Sequence, residues 1–213
     1  MDAFHERLAR TGLTAAQRYG FALAGGYAVQ AAGLLQRPTE DIDLFTAWEQ
    51  RGDFTAAVAA VAAAYREEGL TVETERRHDT FVRLTVSDGE QTAKVELAVN
   101  SRANDPIQIA IGPVLHPDDA VGNKMAALYA RALARDFIDI HAALRSERYD
   151  EAALLGLAER ADVTFDRNVF AEALGQVEVL DPDDFAEYGV GGPELDELRI
   201  RFTAWRQELL SAA

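Results

Sequence analysis

Residues 40–45, Glu-Asp-Ile-Asp-Leu-Phe, place two carboxylates one residue apart within an apolar alternation. Strand side chains alternate faces, so Asp41 and Asp43 share one face while Ile42 and Leu44 share the other. The pattern predicts a strand anchored in a core by Ile42 and Leu44, with two like charges held together on its opposite side. Such a pair is stable if it is solvated or if a cation offsets the repulsion. Two oxygen donors at this spacing suit a hard divalent cation such as Mg2+, which keeps positions open for water and phosphate. A plain solvated strand would show the same pair, so neighbouring segments must decide.

Upstream, the apolar run 21–25 predicts a short buried strand. Gly25-Gly26 turns the chain into a short helix beginning Tyr-Ala-Val-Gln. Glycines allow a sharp bend and close approach of an anion to backbone N–H groups. Residues 3–19 read as one helix, or as two broken near Gly12. Alanine-rich residues 53–68 predict another helix, ending at Gly69. Three strand patterns follow at 70–77, 80–88 and 91–100, with Asp88-Gly89 as the hairpin turn between the last two. A further short strand is expected within 106–112. In the strand at 91–100, Val95, Leu97 and Val99 form a core face, leaving Lys94, Glu96 and Ala98 on the other. Should this strand lie beside residues 40–45, Glu96 joins Asp41 and Asp43. Three carboxylates around one or two Mg2+ ions form a phosphoryl- or nucleotidyl-transfer site.

Beyond Pro117 the pattern becomes helical, beginning with one long helix over 118–145. The division is therefore an α/β region at 1–115 and an all-helical region at 116–213. At about 100° per residue, Lys124, Leu128, Arg131, Arg135 and Asp139 fall on one narrow stripe of the long helix, with Asp136 further round. Three cations on a stripe can neutralise a polyphosphate, and arginine can grip it bidentately. Asp139 is placed to orient Arg135. Ordinary ion pairing on a surface helix would also explain the stripe taken alone. In the last helix Leu195, Leu198, Phe202, Trp205 and Leu209 share one face, as core residues do.

The chain has 213 residues, no cysteine and a formal net charge of −15. Disulfides, thiolate nucleophiles and zinc–cysteine sites are excluded. The charge disfavours non-specific attraction to nucleic acid or anionic lipid and favours cationic partners. No apolar run approaches the ~20 residues of a membrane span. The charged N-terminus does not read as a signal peptide, so a cytoplasmic location is expected. The four histidines are scattered without ligand spacing.

Three motifs together carry a resemblance: Gly25-Gly26-x-Ala28, then Arg-Pro-Thr-Glu-Asp-Ile-Asp at 37–43, then K-x-x-A-L-x-x-R-x-x-x-R-D-x-x-D at 124–139. Over roughly residues 20–145 the chain resembles the AbiEii/MenT nucleotidyltransferase toxins, within the DNA-polymerase-β-like nucleotidyltransferase superfamily. The resemblance implies a nucleotidyltransferase α/β (α+β) core with a mixed sheet, followed by a helical C-terminal region. It implies Gly25 and Gly26 under the triphosphate and Asp41 and Asp43 as metal ligands, with Glu96 at the third acidic position. Lys124 would contact the nucleotide phosphates, and Arg131, Arg135, Asp136 and Asp139 would fill the basic and acidic positions of the helical motif. The implied cofactor is Mg2+ with an NTP as co-substrate. The implied partners are a tRNA acceptor and a cognate antitoxin, with no membrane. Two positions depart from the wider superfamily: Gly26 stands where serine is frequent, and Glu96 where aspartate is usual. An antibiotic nucleotidyltransferase acting on aminoglycosides or lincosamides, and a non-catalytic nucleotide-binding protein, are the competing expectations.

Overall fold

Strand alternation in the first half of the chain builds a seven-stranded mixed sheet, ordered β3-β4-β5-β2-β1-β7-β6. The structure, a computed structural model, describes residues 1–35 and 37–211. Its strands are β1 (Ala22–Leu23), β2 (Asp41–Ala47), β3 (Thr71–His78), β4 (Phe81–Ser87), β5 (Thr92–Asn100), β6 (Ile107–Ile109) and β7 (Gly112–Val114). The β2–β5 and β1–β7 pairs are parallel, and the remaining neighbours are antiparallel. The strand expected at 106–112 is instead a hairpin of two three-residue strands, too short for alternation to be read in sequence.

Helices α1 (Ala3–Ala15), α2 (Gly25–Ala31) and α3 (Phe54–Glu67) accompany the sheet. Helix α1 packs on both α3 and β2. It runs unbroken through Gly12, because that glycine serves contact rather than bending. A Cβ at Gly12 would lie 2.6 Å from the Tyr65 hydroxyl and 2.7 Å from Leu44. Tyr65 is buried and its hydroxyl donates to the Leu8 carbonyl at 2.8 Å, fixing α3 against α1. Ile42, Leu44, Leu84, Val95 and Leu97 are all at most 1% exposed and form the sheet side of this core.

The chain divides into two compact units. The first comprises residues 1–32 and 39–117, and the second 33–38 and 118–213. Helices α4 (Pro117–Arg131), α5 (Ala134–Arg145), α6 (Glu151–Ala161), α7 (Arg167–Leu174), α8 (Pro182–Ala186) and α9 (Pro193–Ser211) build the second half of the chain. Its core centres on aromatic contacts, Phe137 edge-on to Phe202 at 5.1 Å and Phe170 edge-on to Trp205 at 5.3 Å. Leu195, Leu198, Phe202 and Trp205 line the buried face of α9.

The single helix expected over 118–145 is two. Ala132 adopts φ +47° and Leu133 is extended, so α4 stops and α5 starts afresh. The Asp136 carboxylate reaches back to accept from the Leu133 backbone N–H at 3.2 Å, as an acidic residue in a first helical turn does. Among the described residues no helix is long and apolar enough to cross a membrane.

Candidate active site

Strand β2 alternates half-buried and buried residues along its length, so Asp41 and Asp43 share one face and Ile42 and Leu44 are sealed on the other. Its parallel neighbour β5 sets Lys94 opposite Asp41 and Glu96 opposite Asp43. Residues opposite one another in register point to the same face. Two acids and a cation–acid pair therefore share one patch of the sheet.

Glu96 is engaged there. Its Oε1 accepts from Arg83 Nε at 2.8 Å and Nη2 at 2.6 Å, across the antiparallel β4–β5 pair that sets Arg83 opposite Glu96. Hydrogen bonding to Glu96 raises the Arg83 guanidinium above its ordinary value, with Glu75 adding at 3.5 Å. Among the described residues, no three His, Asp or Glu side chains gather as a metal-holding group. The structure thus brings Asp41 and Asp43 together and aligns Glu96 beside Asp43 while Arg83 holds its carboxylate.

Gly25 opens α2 at φ +58°, in the left-handed region that glycine tolerates. A Cβ at this residue would overlap the Asp43 carboxylate. The Ala24 N–H donates to the Asp43 carbonyl at 2.8 Å, pinning the turn to β2. At Gly26 a Cβ would meet Thr39 Oγ1 at 2.7 Å. The donor set suits a hard cation, since two carboxylates share a face and a residue without a side chain backs one of them.

The basic stripe expected on one helix is dispersed. Lys124 and Leu128 lie on α4 and are buried, at 9% and 0% exposure. Asp139 on α5 does not orient Arg135. Its buried carboxylate accepts from Arg37 Nε at 2.7 Å and Nη2 at 2.8 Å, and from Lys124 Nζ at 2.9 Å. Burial pushes the Asp139 carboxyl up, but Lys124 and Arg37 outweigh it and hold the group below the usual carboxylate range. Asp136, fully buried, binds Arg131 bidentately at 2.9 and 2.8 Å. Arg135 is half-buried, and its Nε has no hydrogen-bond partner among the described residues.

A family model for AbiEii, described as a nucleotidyl transferase toxin of a type IV toxin–antitoxin system, matches residues 8–210. The chain belongs to the AbiEii family. Solved structures share the AbiEii chain's fold at low identity. JHP933 from Helicobacter pylori is 18% identical with a TM-score of 0.53, over 98% of this chain and 91% of that one. MenT4, a nucleotidyltransferase toxin from Mycobacterium tuberculosis H37Rv, is 18% identical with a TM-score of 0.55, over 97% of this chain and 86% of that one. Among curated proteins none matches the chain in sequence.

Two cations of this AbiEii chain escaped assignment from sequence. Arg37 opens the Arg-Pro-Thr-Glu-Asp-Ile-Asp motif, yet nothing local says that its partner lies 102 residues on. Arg83 was hidden because an arginine at an alternating strand position reads as ordinary solvent-facing charge. Its signal becomes visible once the hairpin register around Asp88-Gly89 is counted out to Glu96.

Proposed function

We propose that this AbiEii nucleotidyltransferase transfers a nucleoside monophosphate from an NTP to a hydroxyl at the 3′ end of tRNA, with Asp41 and Asp43 as its metal-binding pair. The observation that carries this reading is the shared face of Asp41 and Asp43 on β2, with Gly25 lacking the side chain that would displace Asp43. A bound Mg2+ would supply positive charge to the triphosphate. The acceptor oxygen forms a bond to the α-phosphorus, the α–β phosphoanhydride breaks, and pyrophosphate leaves with the bonding electrons. The hydroxyl proton passes to water or to Glu96, whose Oε1 is held by Arg83 while Oε2 can accept it.

Phosphate contacts are assigned to Lys124 from its place in the family motif. Arg37 and Lys124 both bond the Asp139 carboxylate, so one buried acid fixes two cations in place. A type IV system supplies an antitoxin as the natural protein partner. The net charge of −15 favours a second acceptor class, a cationic aminoglycoside.

The test incubates purified protein with Mg2+, each labelled NTP, and either total tRNA or an aminoglycoside panel, following pyrophosphate release and label transfer. Label on the tRNA 3′ end, lost in Asp41→Asn and Asp43→Asn with unchanged circular dichroism, is expected. Transfer to the drugs alone would move the assignment to the second acceptor. No transfer to any acceptor by folded protein would overturn the reading.

A further inference from the structure

The second unit contains a hollow of about 220 Å3, lined by none of the residues assigned to nucleotide transfer. Leu34, Leu35, Ile138, Val190 and Leu198 form its apolar walls. His141 also lines it, although the residue is only 3% exposed. Neither ring nitrogen of His141 has a hydrogen-bond partner among the described residues. The nearest carboxylate oxygen, on Glu197, stands 4.0 Å from Nε2, beyond hydrogen-bond reach. Arg145 and Glu194 also border the hollow and are joined to each other at 3.3 Å.

A buried polar group without a partner loses the full cost of its desolvation, so native proteins rarely leave one idle. Water is a poor remedy here, since an ordered water needs two to four polar partners, and the other polar lining groups are engaged elsewhere, Arg145 with Glu194 and Ser146 with the Ala143 carbonyl. Burial, aided by the Arg201 charge, lowers the imidazole to about 4. The ring is therefore neutral at pH 7 and offers one donor and one acceptor. Size narrows the occupant further. An apolar cavity of about 150 Å3 holds benzene, so 220 Å3 admits a ring with a substituent or a small fused pair.

We propose that this hollow is a binding site for a neutral aromatic small molecule of phenol or indole size, whose single hydroxyl or ring N–H hydrogen-bonds His141. The site lies apart from Asp41 and Asp43 in sequence and does not depend on the reaction assigned to them.

The test titrates phenol and indole, with benzene as the apolar control, into the full-length 15N-labelled protein while following the His141 imidazole resonances. Saturable shifts of both ring nitrogens with phenol and indole are expected. In His141→Phe the apolar walls remain, so phenol affinity should fall roughly three- to tenfold, the range of one lost hydrogen bond, while benzene affinity holds. Absence of a saturable shift in the wild-type protein up to the solubility limit would overturn the proposal, and that measurement needs no variant to fold. Equal phenol affinity in a folded His141→Phe protein would overturn the role of the imidazole. Both results are independent of whether the protein transfers nucleotides.

Discussion

Gly25 lies so close to Asp43 that a side chain on residue 25 and the Asp43 carboxylate could not occupy the structure together. The glycine is also held at φ +58°. Two independent constraints, backbone conformation and carboxylate position, thus meet at one residue.

Gly25→Ala should therefore fail in two measurable ways. The left-handed backbone costs an alanine roughly 1–2 kcal/mol, readable as a lower urea midpoint. The displaced Asp43 carboxylate should reduce nucleotide transfer about 100-fold at fixed Mg2+, as small misplacements of reacting groups do. Wild-type activity in the alanine variant would separate Gly25 from the chemistry.

Arg83 and Glu96 give a second prediction. In Arg83→Met the Glu96 carboxylate loses its cation but keeps its register beside Asp43. Both oxygens of a third carboxylate, no longer neutralised by a guanidinium, then stand beside the pair, and metal affinity rises with the number of charged ligands. The Mg2+ concentration for half-maximal transfer should fall by about tenfold. An unchanged Mg2+ requirement would mean that Glu96 plays no part in holding the ion.

The buried trio of Arg37, Asp139 and Lys124 should contrast sharply with an exposed pair. Asp139→Ala leaves two buried cations without their anion, and a loss of about 3–5 kcal/mol is expected by chemical denaturation. Arg145→Ala breaks a half-exposed pair with Glu194 and should cost less than about 1 kcal/mol.

His141 predicts a pH dependence of stability. Burial first, then the Arg201 charge, lowers its folded imidazole from 6.5 to about 4. Glu197 opposes the shift and Arg145 adds to it. Between those values the unfolded chain binds more protons, so stability is complete above 6.5 and is lost as pH falls toward 4. The loss attributable to this residue is up to about 3 kcal/mol. Because carboxylates titrate near the lower limit, the measurement is the difference between wild type and His141→Phe, which should shrink the slope between pH 6.5 and 4.5.

Sequence alone determined the features that depend on near neighbours. The alternation around Ile42 and Leu44 made β2 and oriented Asp41 and Asp43 together, because a strand's facing repeats every second residue whatever surrounds it. The same rule yielded β4 and β5 with their turn at Asp88-Gly89, and the 3.6-residue helical period yielded the buried face of α9. Tertiary structure decided who partners whom. A helical wheel over 118–145 assumes an unbroken helix, and Ala132 and Leu133 are both good helix formers. The break arises where Ala132 turns left-handed and Asp136 serves Leu133 and Arg131 at once. Asp139 finds Arg37 and Lys124 rather than Arg135, and Glu96 finds Arg83. Such pairings are set by distance and desolvation in the folded chain, and neither quantity is written in the spacing of residues along it.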